Sequence, residues 1–457
     1  PMFVAIWYGE SCAWDLLASA AIALVVGLSM TRLSKPTSQT FFAREGFVIV
    51  ALAWVFMSLI GMLPYLFSGE IPFWVDAFFE TVSGFTTTGA SILTNVEAMS
   101  HGLLFWRSFT HWIGGMGVLV LIMAIVPTET GRSIHIMRAE MPGPIVGKLM
   151  PRIKDTAQIL YLMYVVLTVV QIVLLIAGGM PPFESVTHAM ATAGTGGFSV
   201  KADCFTSYSP YLQWVTAIFM TLFGVNFNVY YLALRKKFKE ILRSTELWTY
   251  LGIILVSIVL VGISISTEYD TLEEIIRQSA FQVTSIITTT GYSSANFDLW
   301  PELAKNVLLI LMFLGACAGS TGGGLKVSRA ILLVKMARRE LKRMIHPRSV
   351  GTVQFEGKRV SDATLNSVCM YFVLYCIILV ALTLFLCINP FSIETNLAAA
   401  ASCFNNSGPG FGIVGPASNY SYYNAISKFV LAISMLFGRL EIYPMLLALS
   451  PSTWTKE

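Results

Sequence analysis

The chain has 457 residues, of which 55% are hydrophobic and 12% are charged, and its formal net charge is +4. An average soluble domain carries about 25% charged residues, so this chain has too little charge to cover the surface of a soluble protein of its size. The composition excludes a water-soluble enzyme, a disordered chain and a nucleic-acid-binding protein, and it predicts an all-α polytopic membrane protein.

The apolar segments, taken in chain order, predict about nine membrane-spanning helices. The chain opens with Pro1 inside a stretch that is already apolar, so we expect an N-terminal piece to be missing. A helix needs about 20 apolar residues to cross the hydrocarbon core of a bilayer. Windows of that order, free or almost free of charge, lie at 16–31, 46–69, 108–128, 156–183, 204–234, 247–267, 306–325, 363–393 and 424–449.

The positive charges collect in alternate connections between these windows. Residues 32–44, 132–154, 235–243 and 335–359 contain 21 of the 30 Lys and Arg residues. Positive charge near the ends of membrane helices marks the cytoplasmic side, so these four connections are predicted to be cytoplasmic. The intervening connections then face outward.

The outward connections follow one plan, repeated four times. Each has a short helix with an acidic residue near its start, which we call a half-helix, and then a turn with a glycine, which we call the anchor glycine. The anchor glycines are Gly89, Gly197, Gly291 and Gly408. The spacing predicts an extra N-terminal region at 1–45 and four repeats of helix, half-helix with loop, and helix at 46–131, 155–243, 246–345 and 362–457.

The half-helices are too short to span a bilayer and too apolar for exposed loops, which is typical of re-entrant segments. Irregular backbone survives at membrane depth only when it is buried in protein or lines a watery cavity. Glycine tolerates positive φ, so successive carbonyl oxygens of such a turn can face one way and replace the hydration shell of a cation. Plain Gly/Thr turns between helices are the alternative. The predicted carbonyl strips are Thr87-Thr88-Gly89 (strip 1), Thr195-Gly196-Gly197 (strip 2), Thr289-Thr290-Gly291 (strip 3) and Asn406-Ser407-Gly408 (strip 4).

The seventh window holds a glycine-rich segment at 315–326. Five glycines in ten residues cost roughly 1 kcal/mol each in a helix interior, so we expect the helix to break there. Close helix packing through small residues is the alternative interpretation. A phosphate-binding P-loop is excluded, because no GKS or GKT follows at the required spacing.

Arg439 lies deep in the last apolar window. A charge at the bilayer centre costs about 2.5–3.5 kcal/mol, and Glu441, two residues away, does not share its helix face. Two interpretations stay open: Arg439 snorkels toward the cytoplasm, or its guanidinium lies in a passage below the strips, where it repels cations and binds carbonyls of the glycine-rich segment.

The order of these motifs resembles the Trk/Ktr/HKT superfamily of cation-transport proteins, and most of all its TrkH branch. The resemblance covers nearly the whole chain and is carried by TTTGAS, TTTGYS, NNSGPGFG, GACAGSTGGGLK and MLFGRLEIYP. The second loop departs from the pattern, because it lacks TTTG and has an additional glycine at 194.

The resemblance implies four M1–pore loop–M2 repeats around one central pore. It assigns the four strips to a potassium filter, since a glycine at every anchor position is the family's potassium-type pattern and a serine in strip 1 would suggest sodium permeation. It also implies a moving gate below the filter. The gate residues it implies are Gly315, Gly319, Ser320, Thr321, Gly322, Gly323, Gly324, Lys326 and Arg439.

The resemblance further implies a homodimer in a bacterial inner membrane, with one pore per protomer and a TrkA-like cytosolic RCK subunit as regulator. ATP/ADP or NAD(H) would bind that regulator, because this chain has no nucleotide motif of its own. The basic clusters at 235–243 and 335–348 are either ordinary cytoplasmic charge or a docking face for an acidic partner or anionic lipid heads. We expect no covalently bound cofactor, and no metal site other than potassium in the filter.

A gated potassium-conducting pore is therefore the leading functional hypothesis. A K⁺/Na⁺ symporter or a weakly selective translocator of the same superfamily is the alternative within transport. A polytopic membrane enzyme is the alternative of another class, and it would need a nucleophile–base or carboxylate pair at membrane depth. The apolar windows offer only Arg439, Glu441 and the isolated His111.

Overall fold

The structure is a computed structural model that describes residues 1–33, 43–117, 153–349 and 351–454. It is all-helical except for one short hairpin. The helices of the first half are α1 (Met2–Tyr8), α2 (Cys12–Leu33), α3 (Ala43–Gly61), α4 (Leu63–Ser68), α5 (Trp74–Phe85), α6 (His101–Gly115), α7 (Ile153–Ala177), α8 (Pro182–Gly194), α9 (Pro210–Phe223), α10 (Phe227–Leu234) and α11 (Phe238–Leu242). Those of the second half are α12 (Thr245–Ser264), α13 (Leu272–Ile287), α14 (Glu302–Leu314), α15 (Val327–Ile345), α16 (Asp362–Leu386), α17 (Ile393–Asn405), α18 (Ala425–Arg439), α19 (Tyr443–Leu449) and α20 (Pro451–Trp454).

Five segments of the described chain are long and apolar enough to cross a membrane, and one of them, Glu45–Ser68, combines most of α3 with α4. They correspond to predicted windows, and their lipid-facing character is visible in many exposed Leu, Val and Ile side chains. The segments are Cys12–Leu33, Glu45–Ser68, Gln158–Ala177, Thr245–Ser264 and Asp362–Leu386.

Three of the other predicted windows contain helices that are interrupted, and only the interruption in window 306–325 was expected from the sequence. In window 204–234, α9 and α10 meet at an angle of 89°. In window 306–325, α14 ends at Leu314 and an irregular segment leads to α15, as the glycines predicted. In window 424–449, α18 and α19 are separated at residues 440–442. Window 108–128 lies partly outside the described residues, and its described helix, α6, ends at Gly115.

The half-helices are α5, α8, α13 and α17, with 12, 13, 16 and 13 residues. At 1.5 Å per residue they reach about 18–24 Å, which is less than the hydrocarbon thickness of roughly 30 Å. Each has an acidic residue in its first turn, where a carboxylate suits the positive end of the helix dipole. The C-terminal halves of all four are buried.

The half-helices pack in a cycle. Each contacts helices of its own repeat and also the second helix of the preceding repeat. The cross-repeat pairs are α8 with α6, α13 with α9, α17 with α14, and α5 with α18. The last pair joins repeat 4 to repeat 1, so the four repeats form a closed ring.

A basic surface is formed by exposed side chains that follow the second helices of repeats 2 and 3. The exposed side chains of Arg235, Lys236 and Lys237 follow α10, and α15 carries further exposed Lys and Arg residues. The hairpin of β1 (Gln354–Phe355) and β2 (Lys358–Arg359) packs on α15, and Gln354 pairs with Arg359. The predicted basic connection at 132–152 and most of the one at 32–44 lie outside the described residues.

Candidate functional site

Each half-helix ends in the tripeptide that the sequence predicted as a carbonyl strip, and the four strips share one backbone conformation. The first residue has φ of 55°, 56°, 57° and 57°, and the anchor glycine has φ of 79°, 73°, 85° and 90° in strips 1 to 4. The middle residue is not in the left-handed region. This alternation lets successive carbonyls turn to the same side. Strip 2 has the register of the others, because Gly194 belongs to α8 and Thr195 has the left-handed conformation.

The strips form a closed ring with the same order as the chain. A Cβ atom added to an anchor glycine would meet a carbonyl oxygen of the next strip. The distances would be 2.0 Å from Gly89 to Gly196, 2.0 Å from Gly197 to Thr290, 2.3 Å from Gly291 to Ser407, and 2.7 Å from Gly408 to Thr88. The anchor glycines are therefore required by the close approach of the strips as well as by their φ angles.

Hydroxyl and amide groups hold the strips from behind. The hydroxyl of Thr88 in strip 1 is 2.8 Å from that of Thr86, and the hydroxyl of Thr290 in strip 3 is 2.7 Å from that of Thr288. Asn406 of strip 4 donates from Nδ2 to the hydroxyl of Thr88 at 2.9 Å, which closes the seam between the last and the first repeat.

An outer cavity of about 150 Å³ touches all four anchor glycines. Hydrogen bonds between the loops around it link each repeat to the next. These run from the Ala202 amide to Glu97 (3.2 Å), from the Phe205 amide to the Ser293 carbonyl (2.9 Å), from the Gly412 amide to Asp298 (3.0 Å) and from the Tyr420 amide to the Ser91 carbonyl (2.9 Å). The outer loops are therefore linked in the same cyclic order as the strips, from repeat 1 to repeat 4 and back to repeat 1.

The glycine-rich segment passes on the other side of the strips. Its Gly315, Gly319 and Gly324 have positive φ. The Gly323 amide donates to the Thr289 hydroxyl of strip 3 at 2.8 Å. A second, smaller cavity of about 40 Å³ is lined by this segment together with Gly115, Gly438 and Arg439. The segment therefore lies directly against the ring.

Arg439 joins three parts of the molecule. Its Nη1 donates to the Thr321 carbonyl of the glycine-rich segment at 2.7 Å and to the Thr87 hydroxyl of strip 1 at 3.1 Å. Its Nη2 donates to the carbonyls of Gly114 and Gly115 at the end of α6. The guanidinium lines the inner cavity and binds the glycine-rich segment.

Lys326, the last residue of the glycine-rich segment, is bound to Glu441. The Lys326 ammonium is 3.2 Å from one oxygen of Glu441, and Arg329 binds the other. All three side chains are almost completely buried. Glu441 lies at the break between α18 and α19, so the ion pairs tie the interruptions of repeats 3 and 4 together.

Sequence reasoning missed a buried ion pair behind strips 1 and 2. Glu80 of α5 is 0% exposed and Arg107 of α6 is 2% exposed. The Arg107 Nε donates to Glu80 Oε1 at 2.8 Å. The sequence does contain a signal for this pair, because Glu80 is a carboxylate in the middle of an apolar half-helix and not in its first turn.

The comparisons agree with this architecture. The family model TrkH, described as "Cation transport protein", matches residues 16–456. The chain is 35% identical to the Trk system potassium uptake protein TrkH of Salmonella typhimurium, covering 99% of this chain and 95% of that protein. It is 34% identical to the Trk system potassium uptake protein TrkG of Escherichia coli, covering 99% of this chain and 94% of the relative.

Among solved structures, the chain is similar to the crystal structure of the potassium transporter TrkH from Vibrio parahaemolyticus. The TM-score is 0.89 and the sequence identity is 31%, covering 99% of this chain and 95% of that one. The similarity therefore extends over the broken helices as well as over the continuous spans.

Proposed function

The chain belongs to the TrkH family of cation transport proteins, and on that premise we propose that it is the potassium-conducting subunit of a Trk-type uptake system. Membership makes it a multi-pass membrane transport protein and not an enzyme. Potassium ions would pass along the axis of the four strips, from the outer cavity toward the glycine-rich segment.

The closed ring of strips is the observation that carries this proposal. Four backbone segments share the same alternating conformation, and the anchor glycine of each one lies against a carbonyl oxygen of the next. No carboxylate belongs to the strips, so a cation would be held by carbonyl dipoles that replace its hydration shell. Four half-helix C-termini, which carry partial negative charge, end at the ring and favour a cation there.

The glycine-rich segment and Arg439 form the gate in this proposal. The guanidinium holds the segment against strip 1 and against the end of α6, and its positive charge repels a cation that leaves the ring. For conduction, the segment would move away from the axis. Its glycines and the absence of a continuous helix between α14 and α15 lower the cost of that motion.

We assign control of the gate to a TrkA-like cytosolic RCK subunit, which would bind ATP/ADP or NAD(H). Its docking face would be the basic surface at 235–243 and 335–348, which suits an acidic partner. The membrane would be the bacterial inner membrane, with the basic surface in the cytoplasm, and the chain would act as a homodimer.

Isotope uptake into proteoliposomes tests the proposal. The liposomes are loaded with potassium, and its outward gradient drives the uptake of radioactive rubidium through the purified chain. We expect external potassium to compete with rubidium and external sodium not to compete. Protein-free liposomes and liposomes with heat-denatured protein are the controls.

Two outcomes would contradict the proposal. Equal competition by sodium and potassium would indicate a weakly selective translocator. Rubidium uptake that requires a sodium gradient would indicate a symporter.

A further inference from the structure

The four half-helices share a buried position nine residues before the anchor glycine. It is occupied by Glu80, His188, Gln282 and Ala399, and each of these residues is 0% exposed. Equivalent positions in repeats would be expected to carry similar side chains. Here their chemistry differs in every repeat: a carboxylate, an imidazole, an amide and a methyl group.

Three of these side chains brace the segment that follows their own strip. Each lies within hydrogen-bonding distance of a serine hydroxyl two or three residues after the anchor glycine. The distances are 3.0 Å between Glu80 and Ser91, 3.2 Å between His188 Nε2 and Ser199, and 3.4 Å between Gln282 Nε2 and Ser294.

The fourth repeat is braced differently, because alanine offers no hydrogen bond. There, Ser402 donates its hydroxyl to the carbonyl of the anchor glycine Gly408 at 2.6 Å, and Tyr420 donates to the same carbonyl at 2.9 Å. The outer ends of all four strips are therefore held, but by four different devices.

The brace of repeat 1 also reaches the neighbouring strip. Besides its bond to Glu80, Arg107 donates from Nη2 to the Ser91 hydroxyl at 3.3 Å and from Nη1 to the Ser199 carbonyl at 3.2 Å. Its guanidinium lies 4.0 Å from the ring centre of Phe198, the residue directly after strip 2. A planar guanidinium with several fixed donors can bind such a set of partners, and an ammonium cannot.

We propose that Arg107, oriented by Glu80, is a positioning residue that sets the spacing of strips 1 and 2 and thereby the preference of the ring for potassium over sodium. This inference rests on the proposed function. Sodium is the smaller ion, so a ring whose adjacent strips can approach each other will coordinate it better. The buried ion pair prevents that approach on one side of the ring.

Arg107→Lys is the principal test, because it keeps the buried positive charge beside Glu80 and loses the bridging geometry. Rubidium uptake into proteoliposomes is measured with increasing external potassium or sodium. We expect sodium competition relative to potassium competition to increase by about tenfold, the effect of losing one hydrogen bond from a charged group. Arg277→Lys is the matched control, since Arg277 of α13 binds Glu273 and Gln213, which belong to no strip.

The double variant Glu80→Gln/Arg107→Gln is the second test, because it leaves no unpaired buried charge. We expect it to admit sodium as Arg107→Lys does. If the ratio of sodium to potassium competition is unchanged in either variant, whether or not rubidium uptake falls, the pair has a structural role only and the inference is overturned. The wild-type chain tests the proposed function separately. If it shows no preference for potassium over sodium, the proposed function is wrong and this inference fails with it.

Discussion

At the scale of single residues, the anchor glycines combine a left-handed backbone with a very near neighbour. A side chain in the left-handed region costs roughly 1–2 kcal/mol in the backbone alone. At Gly89, a Cβ would in addition lie 2.0 Å from the Gly196 carbonyl oxygen, and this oxygen belongs to the proposed ion path. Many turns need a glycine for its φ angle, but the close contact with the neighbouring strip is a requirement that only the ring imposes.

We therefore predict that Gly89→Ala reduces selective rubidium uptake by at least about tenfold, since a displaced strip loses more than 1.4 kcal/mol of ion coordination. Rubidium uptake into proteoliposomes at matched protein density measures it. Gly179→Ala is the control, because Gly179 has φ of +86° but nothing within 4 Å of the added methyl group. Equal uptake by both variants would refute the ring contact.

We predict that Arg439→Ala increases the ion flux of the chain alone by at least about tenfold, because it removes both a positive charge and the hydrogen bonds that hold the glycine-rich segment. Electrical recording or isotope flux from proteoliposomes measures the change. Arg338→Ala on the exposed face of α15 serves as the control. Unchanged flux with normal expression would argue against a gating role for Arg439.

The strips and Arg439 could be recognised from patterns in the sequence, whereas the pairing of Glu80 with Arg107 could not. The four tripeptides follow from the repeated turn, and Arg439 follows from its charge within an apolar window. The pair of Glu80 and Arg107 joins two residues that are 27 apart in the chain, and the equivalent positions of the other half-helices carry His188, Gln282 and Ala399. A partner at such a distance is fixed by packing, which one sequence does not specify.

At the scale of elements, the second helix of repeats 2, 3 and 4 is interrupted, and our sequence analysis predicted only the break in repeat 3. The five glycines of the glycine-rich segment predict that break. The break in repeat 2 has Asn226 as a helix cap, with its side chain accepting from the Asn228 amide at 2.9 Å. The break in repeat 4 has no glycine, and Glu441 and Ile442 adopt positive φ of 55° and 67°. Pro444 lies in the first turn of α19 and disfavours a continuous helix across the break, and the ion pairs of Glu441 stabilise the interrupted geometry.

We predict that Glu441→Gln destabilises the protein by about 3–5 kcal/mol, because it leaves the buried cations Lys326 and Arg329 without a counter-ion. The melting temperature in detergent micelles measures the loss. Glu340→Gln is the control, since the pair of Glu340 with Arg339 is on the surface and contributes about 0–1 kcal/mol. Equal melting temperatures for the two variants would show that Glu441 does not hold the break.

At the scale of the whole molecule, chain order and ring order coincide in three layers: the packing of the half-helices, the contacts of the strips and the bonds between the outer loops. The number and order of the repeats could be predicted from the anchor glycines. The closure of the ring came from the resemblance, because the residues that join repeat 4 to repeat 1 show no pattern that pairs them in the sequence.

The orientation of the ring in the membrane gives a further prediction. In a variant without the seven native cysteines, a cysteine replacing Arg348 reacts with a membrane-impermeant thiol reagent only after the cytoplasmic side is opened. A cysteine replacing Ser418, which lines the outer cavity, reacts in intact cells. Labelling of both in intact cells, or in the reverse pattern, would contradict the positive-inside assignment.

The seam between the first and last repeats has a consequence for biosynthesis. Thr88 and Asn406 are 318 residues apart in the chain, and Arg439 and Gly114 are 325 residues apart. During translation, the first three repeats enter the bilayer while the groups that complete strip 1 are still unmade. A nascent chain that stops before the final repeat therefore lacks strip 4, Arg439 and the partners that complete the ring beside strip 1.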